Sequence, residues 1–196
     1  MKRLFDIVLS TTGLIVIAPI LLAVAIAIKL DSEGPVFYKG TRAGKGEKPF
    51  HMYKFRSMVI NADKIGGPST SDDDPRVTRM GHFVRKWKLD ELPQLINVWK
   101  GEMSFVGPRP EVLSETETYT QEQKKIFTLR PGITDFASLA FPNEGEILKG
   151  AKDPHEAYKR LIQPKKLELQ LKYVAEHTFM TDLKIIFKTI RTVFTK

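Results

Sequence analysis

Two adjacent carboxylates, Asp90 and Glu91, lie in a segment that ends with a constrained arginine. From Lys88 to Pro110 the segment reads K-L-D-E-L-P-Q-L-I-N-V-W-K-G-E-M-S-F-V-G-P-R-P, so prolines flank Arg109 on both sides. A carboxylate can act as a nucleophile or as a base. A guanidinium on a stiffened backbone suits bidentate binding of phosphate. These residues therefore indicate a site where a carboxylate meets a phosphoryl group.

The local pattern predicts that Asp90 caps a helix that runs to about Lys100 and ends at Gly101. Pro93 lies in the first turn of that helix, where a missing N–H costs nothing. A helix N-terminus favours an ionised carboxylate and also attracts phosphate, so both groups could share one pocket. Ordinary helix capping is the other interpretation of Asp90, and capping statistics alone favour it.

Short motifs along nearly the whole chain carry a resemblance to a known family. They are K-R-L-F-D from Lys2, G-P-V-F from Gly34, Y-K-F-R-S-M from Tyr53, D-D-P-R-V-T-R from Asp73, L-D-E-L-P-Q-L-I-N-V from Leu89, V-G-P-R-P from Val106 and R-P-G-I-T from Arg130. In these motifs the chain resembles the bacterial sugar transferases, more narrowly the small monotopic polyprenyl-phosphate phosphoglycosyl transferases. The resemblance implies transfer of a sugar phosphate from a UDP-sugar to undecaprenyl phosphate with release of UMP, the first membrane step of bacterial glycoconjugate assembly.

The resemblance also implies roles for individual residues. Asp90 would attack the sugar-bearing phosphorus to give a covalent phosphosugar intermediate and would lie close to Mg²⁺, while Glu91 would bind or deprotonate the polyprenyl phosphate. Lys54, Arg85 and Arg109 match positions associated with phosphate or the active site. The weaker candidates for phosphate binding are Arg56, Arg76 and Arg130. A solvated cation or a surface ion pair is the alternative for each basic residue.

The segment after R-P-G-I-T departs from the pattern that many relatives share. Residues 135–138 read D-F-A-S, and residues 141–148 read F-P-N-E-G-E-I-L. We expect this segment to shape the sugar end of the pocket. The departure leaves the identity of the sugar open.

An uncharged segment near the start of the chain suggests a membrane. The net charge of +8 suits phosphorylated substrates, nucleic acid or an anionic membrane surface. A straight helix from Ile7 to Ile28 would be about 33 Å long, close to the thickness of the hydrocarbon core. Pro19 kinks such a helix, and basic residues flank both of its ends. The pattern predicts a bent helix that enters the cytoplasmic leaflet and returns to the same face.

The resembled family has a re-entrant helix bent at a Ser-Pro pair, whereas this chain has Ala18 and Pro19. Hydroxyl groups that could satisfy the carbonyls freed at the kink are nearby, on Ser10, Thr11 and Thr12. A straight spanning helix, supported by the length, and a cleaved signal peptide, supported by small residues near the end, are the alternatives.

The predicted fold class is α+β, with a mainly helical domain that contains a short β-hairpin between Val36 and Phe55. We divide the chain into a membrane-embedded helix (residues 1–30), a cytoplasmic catalytic domain (31–178) and an amphipathic C-terminal helix (179–196). The C-terminal helix lies in the membrane interface or packs on the core. Other predicted helices cover residues 76–88, 111–127, 143–149, 154–162 and 164–177, and a strand or irregular segment precedes Ala140. Asp72–Asp74 would cap the helix that follows them or, alternatively, bind a metal ion.

These inferences predict a protein at the cytoplasmic face of the bacterial inner membrane. Its cofactor would be Mg²⁺, and its partners would be a UDP-sugar, undecaprenyl phosphate and membrane lipid. The oligomeric state is open, with a homodimer as one possibility. Scattered histidines and the absence of cysteine and of a G-x-S-x-G motif argue against a zinc site and against a serine or thiol nucleophile. A nucleic-acid-binding module built on the basic helix is one alternative, although no recognised motif supports nucleic acid as a partner. A non-catalytic membrane scaffold is the other.

Overall fold

The computed structural model describes residues 1–194 and has the predicted α+β architecture, mainly helical with a short β-hairpin. The helices are α1 (Lys2–Asp31), α2 (Ala62–Ile65), α3 (Arg79–Lys86), α4 (Gln94–Lys100), α5 (Leu113–Thr116), α6 (Phe136–Ala140), α7 (Glu144–Ile147), α8 (Pro154–Leu161), α9 (Gln163–Glu176) and α10 (Phe179–Phe194). The strands are β1 (Phe37–Ala43), β2 (Pro49–Phe55), β3 (Ser104–Val106) and β4 (Gly132–Thr134). The part of the C-terminal prediction that falls on residues 195 and 196 lies outside the described residues.

The β-hairpin packs against both α1 and the segment that carries Asp90 and Glu91. β1 and β2 pair antiparallel, from Phe37 opposite Phe55 to Ala43 opposite Pro49. Phe55 is buried among side chains of α1 and α3. The fully buried Asn97 of α4 accepts a 2.9 Å hydrogen bond from the N–H of Tyr53 in β2. This bond fixes α4 against β2 and thereby sets the hairpin beside the carboxylates.

Both ends of α1 are bound to the same domain. At its start, the buried Asp6 accepts hydrogen bonds from Ser104 Oγ at 2.9 Å and from the N–H of Phe105 at 3.2 Å. At its end, Val24 and Ile28 are buried against the domain. Much of the helix surface between these contacts is apolar and exposed, and by length and composition α1 could cross a membrane.

The predicted bend at Ala18 and Pro19 does not interrupt α1, which is one continuous helix of 30 residues. The hydroxyls of Ser10 and Thr11 both donate to the carbonyl of Ile7, at 3.2 and 2.8 Å. The sequence suggested that these hydroxyls could satisfy the carbonyls freed near Pro19. They bond to Ile7 instead. Re-entry of the helix stays a prediction.

The predicted helix over residues 111–127 is wrong. The structure has α5 and a separate 3₁₀ helix over Gln123–Thr128. Thr120 and Gln123 bond reciprocally, each side chain accepting from the other residue's N–H at 3.3 and 2.8 Å. This exchange has the bonding pattern of a capping box and precedes the 3₁₀ helix, so a helix-start signal lies inside the predicted helix.

The remaining helix predictions are confirmed in place and type, with shifts at the ends. The strand or irregular segment predicted before Ala140 is confirmed only at β4, because Phe136–Ala140 forms α6, whose N-cap Asp135 accepts from the N–H of Ser138. α10 packs on the core through Ile185, which is 1% exposed, while Phe187 is 70% exposed. Core packing is therefore one role of α10, and its exposed apolar side chains leave interfacial membrane contact as a prediction.

We expect Asp182→Ala to lower the free energy of unfolding by about 1–3 kcal/mol, because it removes a charged acceptor shared by the buried Tyr173 hydroxyl and the Lys2 ammonium. Asp182 is 4% exposed, accepts a 2.6 Å bond from Tyr173 Oη and pairs with Lys2 at the start of α1. Denaturant titration of the detergent-solubilised protein measures the loss. Glu176→Ala, at an exposed position, is the control. Equal stability of the two variants would contradict a stabilising role for the contacts of Asp182 with Tyr173 and Lys2.

Candidate active site

Two glycines allow the V-G-P-R-P and R-P-G-I-T segments to cross closely. β3 and β4 pair in parallel, with Ser104 opposite Gly132 and Val106 opposite Thr134. A Cβ on Gly132 would lie 2.1 Å from the backbone N of Gly107, so the crossing requires glycine. The N–H of Gly107 donates to Thr134 at 3.1 Å, and the N–H of Gly132 donates to Pro108 at 3.0 Å. This crossing fixes the backbone that leads to Arg109.

Asp90 is not the N-cap that the sequence predicted. Leu89–Glu91 forms a 3₁₀ turn that begins after Lys88, whose φ is 55°, and α4 starts only at Gln94. Pro93 takes the N-cap position, while the predicted end at Gly101 is confirmed by its φ of 87°. In this 3₁₀ turn Asp90 is only 8% exposed. Its carboxylate is therefore buried and does not cap the N-terminus of α4.

Glu91 is bound by two cations from different parts of the fold. Lys54 of β2 donates to Oε1 at 2.9 Å. Arg109 pairs with Oε1 and also donates to Oε2 at 3.2 Å. Burial alone would raise the pKa of Glu91, but Arg109 and Lys54 outweigh burial and hold this pKa well below its usual range. Glu91 is therefore a fixed anion that orients both cations.

Asp90 has the opposite electrostatic character. Burial raises the pKa of its carboxyl group, and neighbouring Glu91 adds to the rise, while Lys54 and Arg85 oppose it. Arg85 itself is held by a 2.8 Å hydrogen bond from Nε to Ser57 Oγ. One carboxylate is thus tied to cations and the other is desolvated beside them, an arrangement that is typical of functional sites.

Four of the predicted residues therefore gather around Asp90: Glu91, Lys54, Arg85 and Arg109. These five side chains line one cavity of about 1640 Å³. The cavity thus combines the buried carboxylate of Asp90 with fixed cations, and phosphoryl transfer requires groups of these two kinds.

The structure places the weaker candidates differently. Arg56 also lines the cavity, but it is only 6% exposed and donates to the carbonyls of Ser32, at 2.7 Å, and Glu33, so it holds the end of α1. Arg130 is exposed, donates to the carbonyl of Gly101 at 2.9 Å and does not line the cavity among the described residues. Arg76 lines the cavity and is paired with Asp74 at 2.7 Å.

The acidic triple does not cap α3, and its alternative use in binding a metal ion stays a prediction. Thr78 is the N-cap of α3 and accepts from the N–H of Gly81, so the prediction that the triple caps this helix is wrong. Asp73 accepts from the N–H of Gly150 at 3.2 Å, and Asp74 pairs with Arg76. These contacts fix the loop beside the cavity.

The donor set at Asp90 is compatible with Mg²⁺. Within residues 1–194, no group of three or more His, Cys, Asp or Glu side chains is arranged to hold a metal ion. Mg²⁺ is commonly bound by one or two carboxylates together with substrate phosphates and water, so such a group is not required. Asp90 lines the cavity, whereas both oxygens of Glu91 are bound by Arg109. Of the adjacent pair, Asp90 is therefore the carboxylate whose oxygens are not occupied by Arg109, and binding of Mg²⁺ by Asp90 stays a prediction.

The sequence did not reveal a second polar cluster that lines the same cavity, formed by Glu111, Glu144, Tyr158 and Lys166. Lys166 lies in a helix that the sequence did predict, but it is only 4% exposed. In the sequence, Lys166 could not be distinguished from the neighbouring lysines, for which solvent exposure was expected. Only the burial of an ammonium with two carboxylates identifies the cluster.

The fold and the cavity define a class: a small α+β protein in which a carboxylate pair lies among cations beside a long apolar helix. The chain belongs to the bacterial sugar transferase family, whose model matches residues 1–196. The resemblance seen in the sequence is thereby confirmed.

Curated relatives agree with this membership. The chain is 41% identical over 194 residues to the UDP-glucose:undecaprenyl-phosphate glucose-1-phosphate transferase of Escherichia coli (strain K12), covering 97% of this chain and 39% of the relative. It is 38% identical over 198 residues to the UDP-N-acetylgalactosamine-undecaprenyl-phosphate N-acetylgalactosaminephosphotransferase of Aeromonas hydrophila, covering 99% and 44%. It is 40% identical over 204 residues to the exopolysaccharide production protein PSS of Rhizobium leguminosarum bv. phaseoli, covering 100% and 96%. The chain spans about two fifths of the first two relatives and nearly all of the third.

Proposed function

We propose that this protein transfers a sugar 1-phosphate from a UDP-sugar to undecaprenyl phosphate, giving UMP and an undecaprenyl-diphosphate sugar. The observation that carries the proposal is the desolvated Asp90 in one cavity with Lys54, Arg85 and Arg109. Two relatives are named as transferases with undecaprenyl phosphate as acceptor, one for UDP-glucose and one for UDP-N-acetylgalactosamine. The family and the cavity support the same reaction class.

In the first step, an Asp90 carboxylate oxygen attacks the phosphorus that bears the sugar. The new bond joins Asp90 to this phosphorus, the bond to the bridging oxygen breaks, and UMP leaves with the electron pair. In the second step, a phosphate oxygen of undecaprenyl phosphate attacks the same phosphorus and Asp90 leaves as a carboxylate. Covalent catalysis of this kind replaces one difficult displacement by two easier ones.

The surrounding residues have separate tasks. Arg109, fixed by Glu91 and by the carbonyl of Ile133 at 3.3 Å, would bind phosphoryl oxygens with its remaining N–H groups. Glu91 would orient Arg109 and Lys54 and help position the incoming lipid phosphate. Mg²⁺, held by Asp90 and the diphosphate, would supply neutralisation of the charge that develops on the leaving phosphate.

The contacts of α1 support a monotopic arrangement, and we propose that the protein lies at the cytoplasmic face of the inner membrane. A helix that spans the bilayer carries its two ends to opposite sides, whereas both Asp6 and Ile28 of α1 pack on one domain. The exposed apolar side chains of α1 would then face lipid. A soluble nucleotide sugar and a lipid phosphate could meet at this surface without crossing the membrane.

The proposed function is tested by incubating detergent-extracted protein with Mg²⁺, undecaprenyl phosphate and a panel of UDP-sugars. We expect UMP release with at least one donor and formation of the lipid-linked sugar. Retained membrane binding with no UMP release from any donor would favour a non-catalytic scaffold. Salt-sensitive retention of DNA or RNA without UMP release would favour the nucleic-acid-binding alternative.

The pH dependence of kcat/KM should show an acid limb above the usual Asp pKa of about 3.9. Burial raises the pKa of Asp90, and only its ionised form can attack phosphorus. Activity should therefore rise with increasing pH through this elevated pKa. Initial rates of UMP release from pH 4 to 8, with donor below its KM, measure the limb. A plateau that extends down to about pH 4 would contradict the assignment.

A further inference from the structure

The cluster of Glu111, Glu144, Tyr158 and Lys166, here called the Lys166 cluster, is a built polar site inside the cavity. The ammonium of Lys166 lies 2.9 Å from Glu111 Oε1, 3.2 Å from Glu144 Oε1 and 3.0 Å from Tyr158 Oη. Tyr158 in turn donates to Glu111 at 3.1 Å. A lysine has three N–H donors, so these partners occupy Lys166 fully. It is a fixed support rather than a free phosphate ligand.

Glu144 is the member of the Lys166 cluster that can act on a ligand. One of its oxygens is bound by Lys166, its side chain is 31% exposed, and it lines the cavity. An ionised carboxylate accepts hydrogen bonds at both oxygens. Glu144 therefore retains acceptor capacity in the cavity while Lys166 limits its movement.

The charges divide the cavity into two parts. Around Asp90 the cations dominate, whereas the Lys166 cluster contains two carboxylates and one ammonium, a net charge of −1. The two parts adjoin where Arg109 of the cationic part and Glu111 of the Lys166 cluster, two residues apart in the chain, both line the cavity. A diphosphate is attracted to the cationic part and repelled by the other. The anionic part instead favours the binding of a neutral group whose hydroxyls donate hydrogen bonds.

We propose that the Lys166 cluster binds the donor sugar and selects neutral hexoses against uronic acids, with Glu144 accepting hydrogen bonds from sugar hydroxyls. The inference rests on the proposed function. Glu144 attracts hydroxyl donors and repels a carboxylate on the sugar, and such a repulsive element is an effective source of specificity. Lys166 is a positioning residue, since it acts through Glu144.

The test compares wild type, Glu144→Gln and Glu146→Gln with neutral UDP-hexoses and with UDP-glucuronate as donors. Glu146 is an exposed carboxylate on the same short helix and is the matched control. We expect Glu144→Gln to raise the ratio of kcat/KM for UDP-glucuronate to that for the best neutral donor by about tenfold. Inhibition by UDP, which lacks a sugar, should be the same in all three proteins. An unchanged ratio in Glu144→Gln, or an equal change in Glu146→Gln, overturns the inference.

A second measurement needs no variant. In wild type, UDP-glucuronate should compete with the neutral donor about tenfold more weakly than UDP does, because its carboxylate meets Glu144. Equal or tighter inhibition overturns the inference while UMP release from neutral donors leaves the proposed function standing. No UMP release from any donor in wild type instead overturns the proposed function, and the inference with it.

Discussion

Asp90→Asn should abolish UMP release, lowering kcat by roughly four orders of magnitude or more, as loss of a nucleophile does in other covalent enzymes. The amide has nearly the same shape as the carboxylate but cannot attack phosphorus. Because burial raises the pKa of Asp90, its ionised form costs stability. The neutral amide removes that cost, so the variant should unfold at an equal or higher denaturant concentration. Rates of UMP release and denaturant titration together measure both effects.

The same variant tests the covalent step. Wild type quenched during turnover without acceptor should carry a phosphosugar on Asp90 that mass spectrometry of peptides detects, and Asp90→Asn should not. Glu122→Gln is the control, because Glu122 is exposed and lies outside the cavity. Turnover of Asp90→Asn within tenfold of wild type would exclude Asp90 as the nucleophile. UMP release by wild type without an adduct would exclude the two-step route.

The sequence predicted the parts of the site that depend on local chemistry. Prolines around Arg109 indicated a stiffened guanidinium, and the structure shows that guanidinium fixed by Glu91 and Ile133. The alternating aromatic runs indicated the hairpin that carries Lys54, and the register confirms it. Such features depend on neighbours in the chain, which is why a sequence pattern can reveal them.

The parts that failed depend on competition between local signals and packing. Asp90 has the residue type of an N-cap, but Lys88 adopts a left-handed conformation and a 3₁₀ turn displaces the helix start to Gln94. The bonds of Arg56 to carbonyls at the end of α1 are long-range contacts that no local pattern reveals, and because Arg56 also lines the cavity, phosphate binding by Arg56 stays a prediction. Periodicity reports the face of a helix and not what lies opposite it.

The site also shows why two adjacent carboxylates can have different chemistry. Burial raises the pKa of both carboxyl groups, but the two cations bound to Glu91 outweigh burial and stabilise its anionic form, whereas the cations near Asp90 do not. If both were equally paired, neither would be a good nucleophile, since a bound carboxylate shares its electron pairs with its partners. Under the proposed function, these unequal environments suit Asp90 for attack and Glu91 for orientation of the cations.

Arg109→Lys should lower kcat/KM for the UDP-sugar by about 100-fold, the range found when one donor to a developing charge is removed. The guanidinium contacts both oxygens of Glu91 and the carbonyl of Ile133, and it still has N–H groups for a phosphate. A lysine keeps the charge but not the planar fork, so it cannot bind both oxygens of Glu91 in the same bidentate geometry and still present parallel N–H groups to the phosphate. Initial-rate kinetics with varied donor measure the loss.

Arg130→Lys is the matched control for this substitution, because it makes the same chemical change at an arginine that the structure places outside the cavity. Arg130 is exposed and donates through Nε to the carbonyl of Gly101. We expect its kcat/KM to stay within about threefold of wild type, as for most surface changes. If Arg109→Lys were as active as Arg130→Lys, charge alone would suffice at position 109. The fork that Glu91 and the two flanking prolines hold in place would then have no part in binding the diphosphate.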